Sequence, residues 1–159
     1  MTDEALAVIT PSLFRRGMAV GLLGALGVVL VYLALGGEEA GFGLRALFLA
    51  LGTGALVLAE RVWRTTAASL VLTEAGLFED NGRLLCTSED MAAIERGAFA
   101  FKPSNGFAIK LARPGSRAWA PGLWWRMGRR LGVGGVVSKS EAKAMADLIS
   151  LRLRPPPGF

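Results

Sequence analysis

Hydrophobic positions are concentrated in the first third of the chain. From Gly17 to Gly37 there is no charged residue, and a second apolar run, Phe42 to Ala59, is interrupted only by Arg45 in its first turn. Runs of this length cross a hydrocarbon core of roughly 30 Å as helices. Gly37-Glu38-Glu39-Ala40-Gly41 leaves room only for a tight turn, so the pattern predicts an antiparallel transmembrane hairpin over residues 17–63. Arg45 is expected to reach the headgroups from the end of its helix.

Small residues recur within these runs. Gly17 and Gly21 have GxxxG spacing, and Ala46, Ala50 and Gly54 share one helix face, which predicts close packing of the hairpin on itself. Arg15 and Arg16 precede the first run and Arg61 and Arg64 follow the second, so the positive-inside rule sets both ends in the cytoplasm, with Trp63 as an interfacial anchor. A cleaved signal peptide is disfavoured, because the first run is longer than the usual core of such a peptide and a second follows at once.

From Ala67 onward the pattern changes to short alternating segments broken by Gly, Pro and Asn, as in strands. Strands are predicted at Ser69 to Thr73, Leu77 to Asp80 and Arg83 to Thr87, the last two joined by Asn81-Gly82 in a type I′ turn. Ser88 to Arg96 reads either as a helical turn capped by Ser88 or as a strand around Ile94. Ala98 to Arg113 reads as a hairpin with Phe99 and Phe101 on one arm, Phe107, Ile109 and Leu111 on the other, and Pro103 to Gly106 as the turn. Further strands are expected at Arg117 to Ala120 and at Val136-Val137. A closing helix follows, with Ser138 and Glu141 at capping-box spacing, an apolar stripe of Ala142, Met145, Leu148, Ile149 and Leu153, and Pro155 to Pro157 as the stop. The expected organisation is a cytoplasmic tail over 1–16, the hairpin, an autonomous domain over 67–154 and a tail over 155–159.

Composition narrows the chemistry. Hydrophobic residues make up 52% of the chain and charged residues 19%, and there is one Cys and no His. A disulfide framework within the chain, His-based triads and Cys/His zinc sites are thereby closed off. The glycine-rich Gly132 to Ser140 fails as a phosphate loop, because a Walker loop or dinucleotide fingerprint starting at Gly132 needs Gly where Val137 stands. Cys86 reads as a buried structural thiol. No catalytic, cofactor or metal site is expected.

Charge is segregated along the soluble part. Acids dominate Glu74 to Glu95, whereas Arg96 to Ser140 holds bases and no acid. Within that basic stretch Trp119, Trp124 and Trp125 are interleaved with Arg126, Arg129 and Arg130. Three readings compete: nucleic-acid binding, which a membrane tether disfavours; contact with an anionic membrane surface; and tryptophans packed on the sheet beside solvated arginines.

The order of two helices, short antiparallel strands and a terminal amphipathic helix resembles the bacterial pleckstrin-homology-like membrane proteins. Leu70-Val-Leu-Thr-Glu-Ala-Gly76-Leu, Asn81-Gly82-Arg-Leu-Leu, the acidic Ser88-Glu-Asp-Met segment leading to Ile94 and the helix from Ser140 carry the likeness. The chain departs from it near Cys86, where many members carry Trp. The resemblance implies a membrane α + β protein, its small curved sheet or half-barrel closed by the helix and used as a scaffold. The expected function is a non-enzymatic binding or scaffold module, multi-pass in the bacterial inner membrane, with anionic headgroups, further copies or a larger complex as partners and no nucleic acid. The alternative is an accessory or assembly subunit of a larger inner-membrane complex.

Overall fold

A computed structural model describes residues 4–36, 41–95 and 105–153. The apolar runs form α1 (Leu13–Gly36) and α2 (Phe42–Thr65), each 24 residues and therefore about 36 Å long. Both are long and apolar enough to cross a membrane. Leu22, Leu26, Val28 and Tyr32 on α1, and Leu47, Leu51 and Val57 on α2, stand exposed.

The two helices touch through small residues, but not those expected. A Cβ on Gly27 would lie 2.7 Å from Leu56 Cγ, and one on Gly52 would lie 2.9 Å from the Gly27 carbonyl oxygen. Ala34 and Ala59 are buried in the same seam. Gly17, Gly21 and Gly54 have open space where a Cβ would stand, and Ala46 and Ala50 are exposed. Helical phase explains the difference: at about 100° per residue, Ala50 and Gly54 sit about 160° around α2 from Gly52, facing away from α1. Arg45 joins the two helices at the turn of the hairpin. Its Nε donates to the Ala34 carbonyl at 3.0 Å and its Nη2 to that of Leu35 at 3.3 Å, satisfying carbonyls that the last turn of α1 leaves without helical partners.

The segment expected to be a tail enters the sheet. Ala7–Ile9 forms β1, antiparallel to β2 (Leu70–Leu72), with Ala7 opposite Leu72 and Ile9 opposite Leu70. The helical hairpin is therefore the connection between two neighbouring strands, and the β-domain does not begin at Ala67. β3 (Gly76–Glu79) and β4 (Leu84–Thr87) complete a four-stranded antiparallel sheet in the order β1-β2-β3-β4. β5 (Met91–Glu95), β6 (Phe107–Ala120) and β7 (Trp124–Val133) form a three-stranded antiparallel sheet. Ile9, Leu70, Leu72, Leu77, Phe107, Ile109, Leu131 and Val133 meet in one core. It is closed by Ala142, Met145 and Ile149 of α3 (Lys139–Arg152).

Several local expectations change form. Only Gly82 of the Asn81-Gly82 pair has positive φ, +87°, so the loop is not type I′. Glu79 N donates to Arg83 O and Gly82 N to Glu79 O, both at 2.9 Å, which makes a three-residue loop with glycine in its last place. Both readings of Ser88 to Arg96 are realised in succession: Ser88–Asp90 is a 3-10 turn, capped by Thr87 and not by Ser88, and β5 follows. Pro114-Gly115 does not end a strand, because β6 runs through it at a register irregularity, where proline's missing N–H costs no ladder bond. Val136-Val137 contributes only an isolated bridge, Val137 to Pro11. The helix starts after Ser138 without a side-chain cap. Ser138 Oγ instead shares a 2.8 Å hydrogen bond with Ser140 Oγ, and Glu141 accepts from the Thr10 amide. In the α3 stripe Ala146 is buried and Leu148 is half-exposed. The Phe99 and Phe101 arm, the turn residues Pro103 and Ser104, Glu38 and Glu39, and the Pro155 to Pro157 stop lie outside the described residues.

Candidate functional site

Side chains alternate across a strand, and β7 sorts the aromatic and basic segment by that rule. Trp124 points inward and is 1% exposed; its Nε1 donates to Glu79 Oε1 at 2.5 Å, and Arg83 stacks over its ring at 5.0 Å. It is a core residue, so its expected place at the membrane surface is withdrawn. Trp125 points outward, its ring lying where a side chain on Gly132 would have to stand. Directly opposite Trp125 on β6 is Trp119, 60% exposed. Cross-strand aromatic pairs of this kind stabilise a two-stranded ribbon.

The tip of the ribbon is fixed to the helical hairpin. Thr65 Oγ1 at the end of α2 donates to Pro121 O at 2.7 Å. Gly122, at φ +83°, brings its Cα so close that a Cβ would lie 3.0 Å from Thr66 Cγ2. The Trp119 and Trp125 pair is one rung from that tip and lies near the helix end. There Arg16 stacks on the ring of Trp63 at 3.9 Å and donates through Nη2 to the Trp63 carbonyl at 2.6 Å. Trp63 is 51% exposed, but its ring and carbonyl clamp the two helices together as well.

Beyond the tryptophans, Arg117, Ala118, Met127, Arg126 and Arg130 complete the lining of an open cavity of about 700 Å³. Sequence reading missed Arg117 and Met127, although each lies two residues from a tryptophan and hence on the same strand face. The arginines differ in role. Arg126 is tied down: Nε donates to Ser116 O at 2.9 Å, Nη1 to Leu85 O at 2.6 Å and Nη2 to Ser116 Oγ at 2.7 Å. It ties β7 to β4 and β6 while still lining the cavity. Arg130 pairs with Glu95 at 3.4 Å while staying half-exposed, and Arg129 is exposed. The outward face thus combines an aromatic platform, a methionine and a rim of cations, an arrangement suited to an amphipathic or anionic surface.

Cys86 and the Asp90 and Arg113 pair are structural. Burial pushes the Cys86 thiol up to about 12, which leaves it protonated and unreactive at neutral pH. Asp90 is held below its ordinary value first by hydrogen bonding from Arg113 and next by Thr87, and the Arg113 Nε to Asp90 Oδ1 distance is 2.7 Å. The chain matches no protein-family model, no curated protein and no solved structure.

Proposed function

We propose that the chain is a membrane-anchored, non-enzymatic binding or scaffold module with a pleckstrin-homology-like domain on the cytoplasmic side of a bacterial inner membrane. The observation that carries this reading is the exposed apolar hairpin inserted between β1 and β2. Lipid is the solvent that would cover Leu22, Leu26, Leu47 and Leu51 on two helices of spanning length. The four-stranded and three-stranded sheets with one closing helix support the domain likeness. The lack of His and the protonated, buried Cys86 support a binding role over a catalytic one. In this reading the Trp119, Trp125 and Arg129 face rests against anionic headgroups near the helix ends. The small residues facing away from the hairpin seam, Ala46, Ala50 and Gly54, favour as a second reading an accessory subunit docked to other membrane helices.

Purification in mild detergent with mass measurement separates the two. A lone species or homo-oligomer is expected. A stoichiometric, larger membrane protein in the same particle overturns the scaffold reading in favour of the subunit. For the surface contact, vesicles containing phosphatidylglycerol, incubated with a form of the domain lacking the helices, are expected to pellet it at low salt. Binding should weaken in Trp119→Ala and Arg129→Ala variants, and failure to pellet at any salt rejects this face as a lipid contact.

A further inference from the structure

A second basic surface lies on the other side of the helix entrance. Ser12 and Arg15, at the start of α1, face Ser138 and the α3 residues Lys139, Ser140 and Lys143 across an open cavity of about 530 Å³. Three cations and three hydroxyls from segments more than a hundred residues apart in sequence converge there. The segment between β1 and α1 brings them together: the bridge from Pro11 to Val137 and the Ser12 N to Val136 O bond of 2.9 Å lock the entrance of α1 beside the entrance of α3. Among the described residues no salt bridge engages Arg15, Lys139 or Lys143. The carboxylate on the same turn, Glu141, is engaged by the Thr10 amide at 2.8 Å. Arg15 spends one donor on a long 3.4 Å contact with the Val137 carbonyl, leaving the rest of its guanidinium for a ligand.

We infer that this cavity binds the phosphate of an anionic phospholipid in the leaflet that α1 enters. The ligand chemistry follows from the charge balance, since three cations stand against the single carboxylate of Glu141, one oxygen of which the Thr10 amide already occupies, and an excess of cations selects an oxyanion. The lipid source follows from position. Leu13 and Phe14, the residues beside Arg15, are 79% and 75% exposed, so the cations stand where the apolar surface begins, the level of the headgroup phosphates in a bilayer. This inference rests on the membrane reading of α1 and α2. It is distinct from the Trp119 and Trp125 face, with which it shares no residue.

The full chain, in mild detergent, is titrated with dioctanoyl phosphatidylglycerol, dioctanoyl phosphatidylcholine or inorganic phosphate, and the midpoint of thermal unfolding is followed. Phosphatidylglycerol is expected to raise the midpoint, and the other two to have little effect. Lys139→Gln and Lys143→Gln should each weaken phosphatidylglycerol binding about fivefold at low salt, their arginine counterparts should keep it, and Lys110→Gln, a lysine elsewhere on the surface, should leave it unchanged. An equal response to inorganic phosphate overturns the lipid source. A response that Lys139→Gln and Lys143→Gln share with Lys110→Gln overturns the site. Alkaline carbonate extraction of membranes separates failure of the premise. A chain released by carbonate loses both the membrane reading and this site, whereas one retained but unresponsive to phosphatidylglycerol loses the site alone.

Discussion

Trp124 and Trp125 are adjacent and chemically identical, yet one is a buried strut and the other a surface platform. The difference is the period of the strand. Trp124 donates its N–H to the nearly buried carboxylate of Glu79, and replacing it by Phe would leave that oxygen short of a partner. A hydrogen bond to a charged group contributes about 2 kcal/mol, so Trp124→Phe should lower the stability of the domain by about that amount in denaturant titrations, whereas Trp125→Phe should cost less. Asp90 gives a pH dependence with a definite sign. Its pKa is lowered in the folded chain by Arg113 and Thr87, so its contribution is present above the ordinary carboxyl range and is lost as pH falls through the depressed value. Stability of the parent should exceed that of Asp90→Asn at neutral pH, and the gap should close on acidification. Cys86, raised to about 12, should resist iodoacetamide at pH 8 in the folded chain and react once it is unfolded. Rapid labelling of the native protein contradicts its burial.

At the scale of elements, β1 has the largest consequence. Ile9 is fully buried opposite Leu70, so a fragment starting at Ala67 lacks an edge strand and leaves Leu70 and Leu72 uncovered. Because paired residues on neighbouring strands lie about 5 Å apart, a short glycine and serine linker in place of α1 and α2 can join β1 directly to β2. That version should be soluble and unfold cooperatively, while the fragment from Ala67 should aggregate or unfold without cooperativity. In the helical hairpin, Gly52→Leu should separate the helices and lower the melting temperature in detergent, and Gly54→Leu should be tolerated. Strands β2 to β4, the Phe107, Ile109 and Leu111 face and α3 were legible because local turn signals and periodicity agree there. β1 was not, since three apolar residues carry no periodic signal and their partner lies beyond two long helices. β7 was obscured by its own basic composition, which draws attention to charge and away from alternation. The glycine seam depended on helix phase, which GxxxG spacing alone does not give.

For the whole molecule, the pairing of β1 with β2 constrains topology more strongly than the basic flanks do. Residues 7–9 and the described strands and helix from Leu70 onward belong to one folded unit, so the two ends of the helical hairpin must lie on the same side of any membrane it crosses. An arrangement with one span inserted and the other left in solution would tear β1 from the sheet or drag the sheet through the bilayer. Arg15, Arg16, Arg61 and Arg64 then choose the side, and the cytoplasm is expected. Reporter fusions ahead of Glu4 and after Phe159 should both report the cytoplasm, and one inserted between Glu38 and Glu39 should report the opposite face. Ends on opposite faces would refute the shared sheet and the hairpin together. Both ends outside would keep the fold and reject only the orientation, and with it a cytoplasmic-leaflet lipid for Arg15, Lys139 and Lys143.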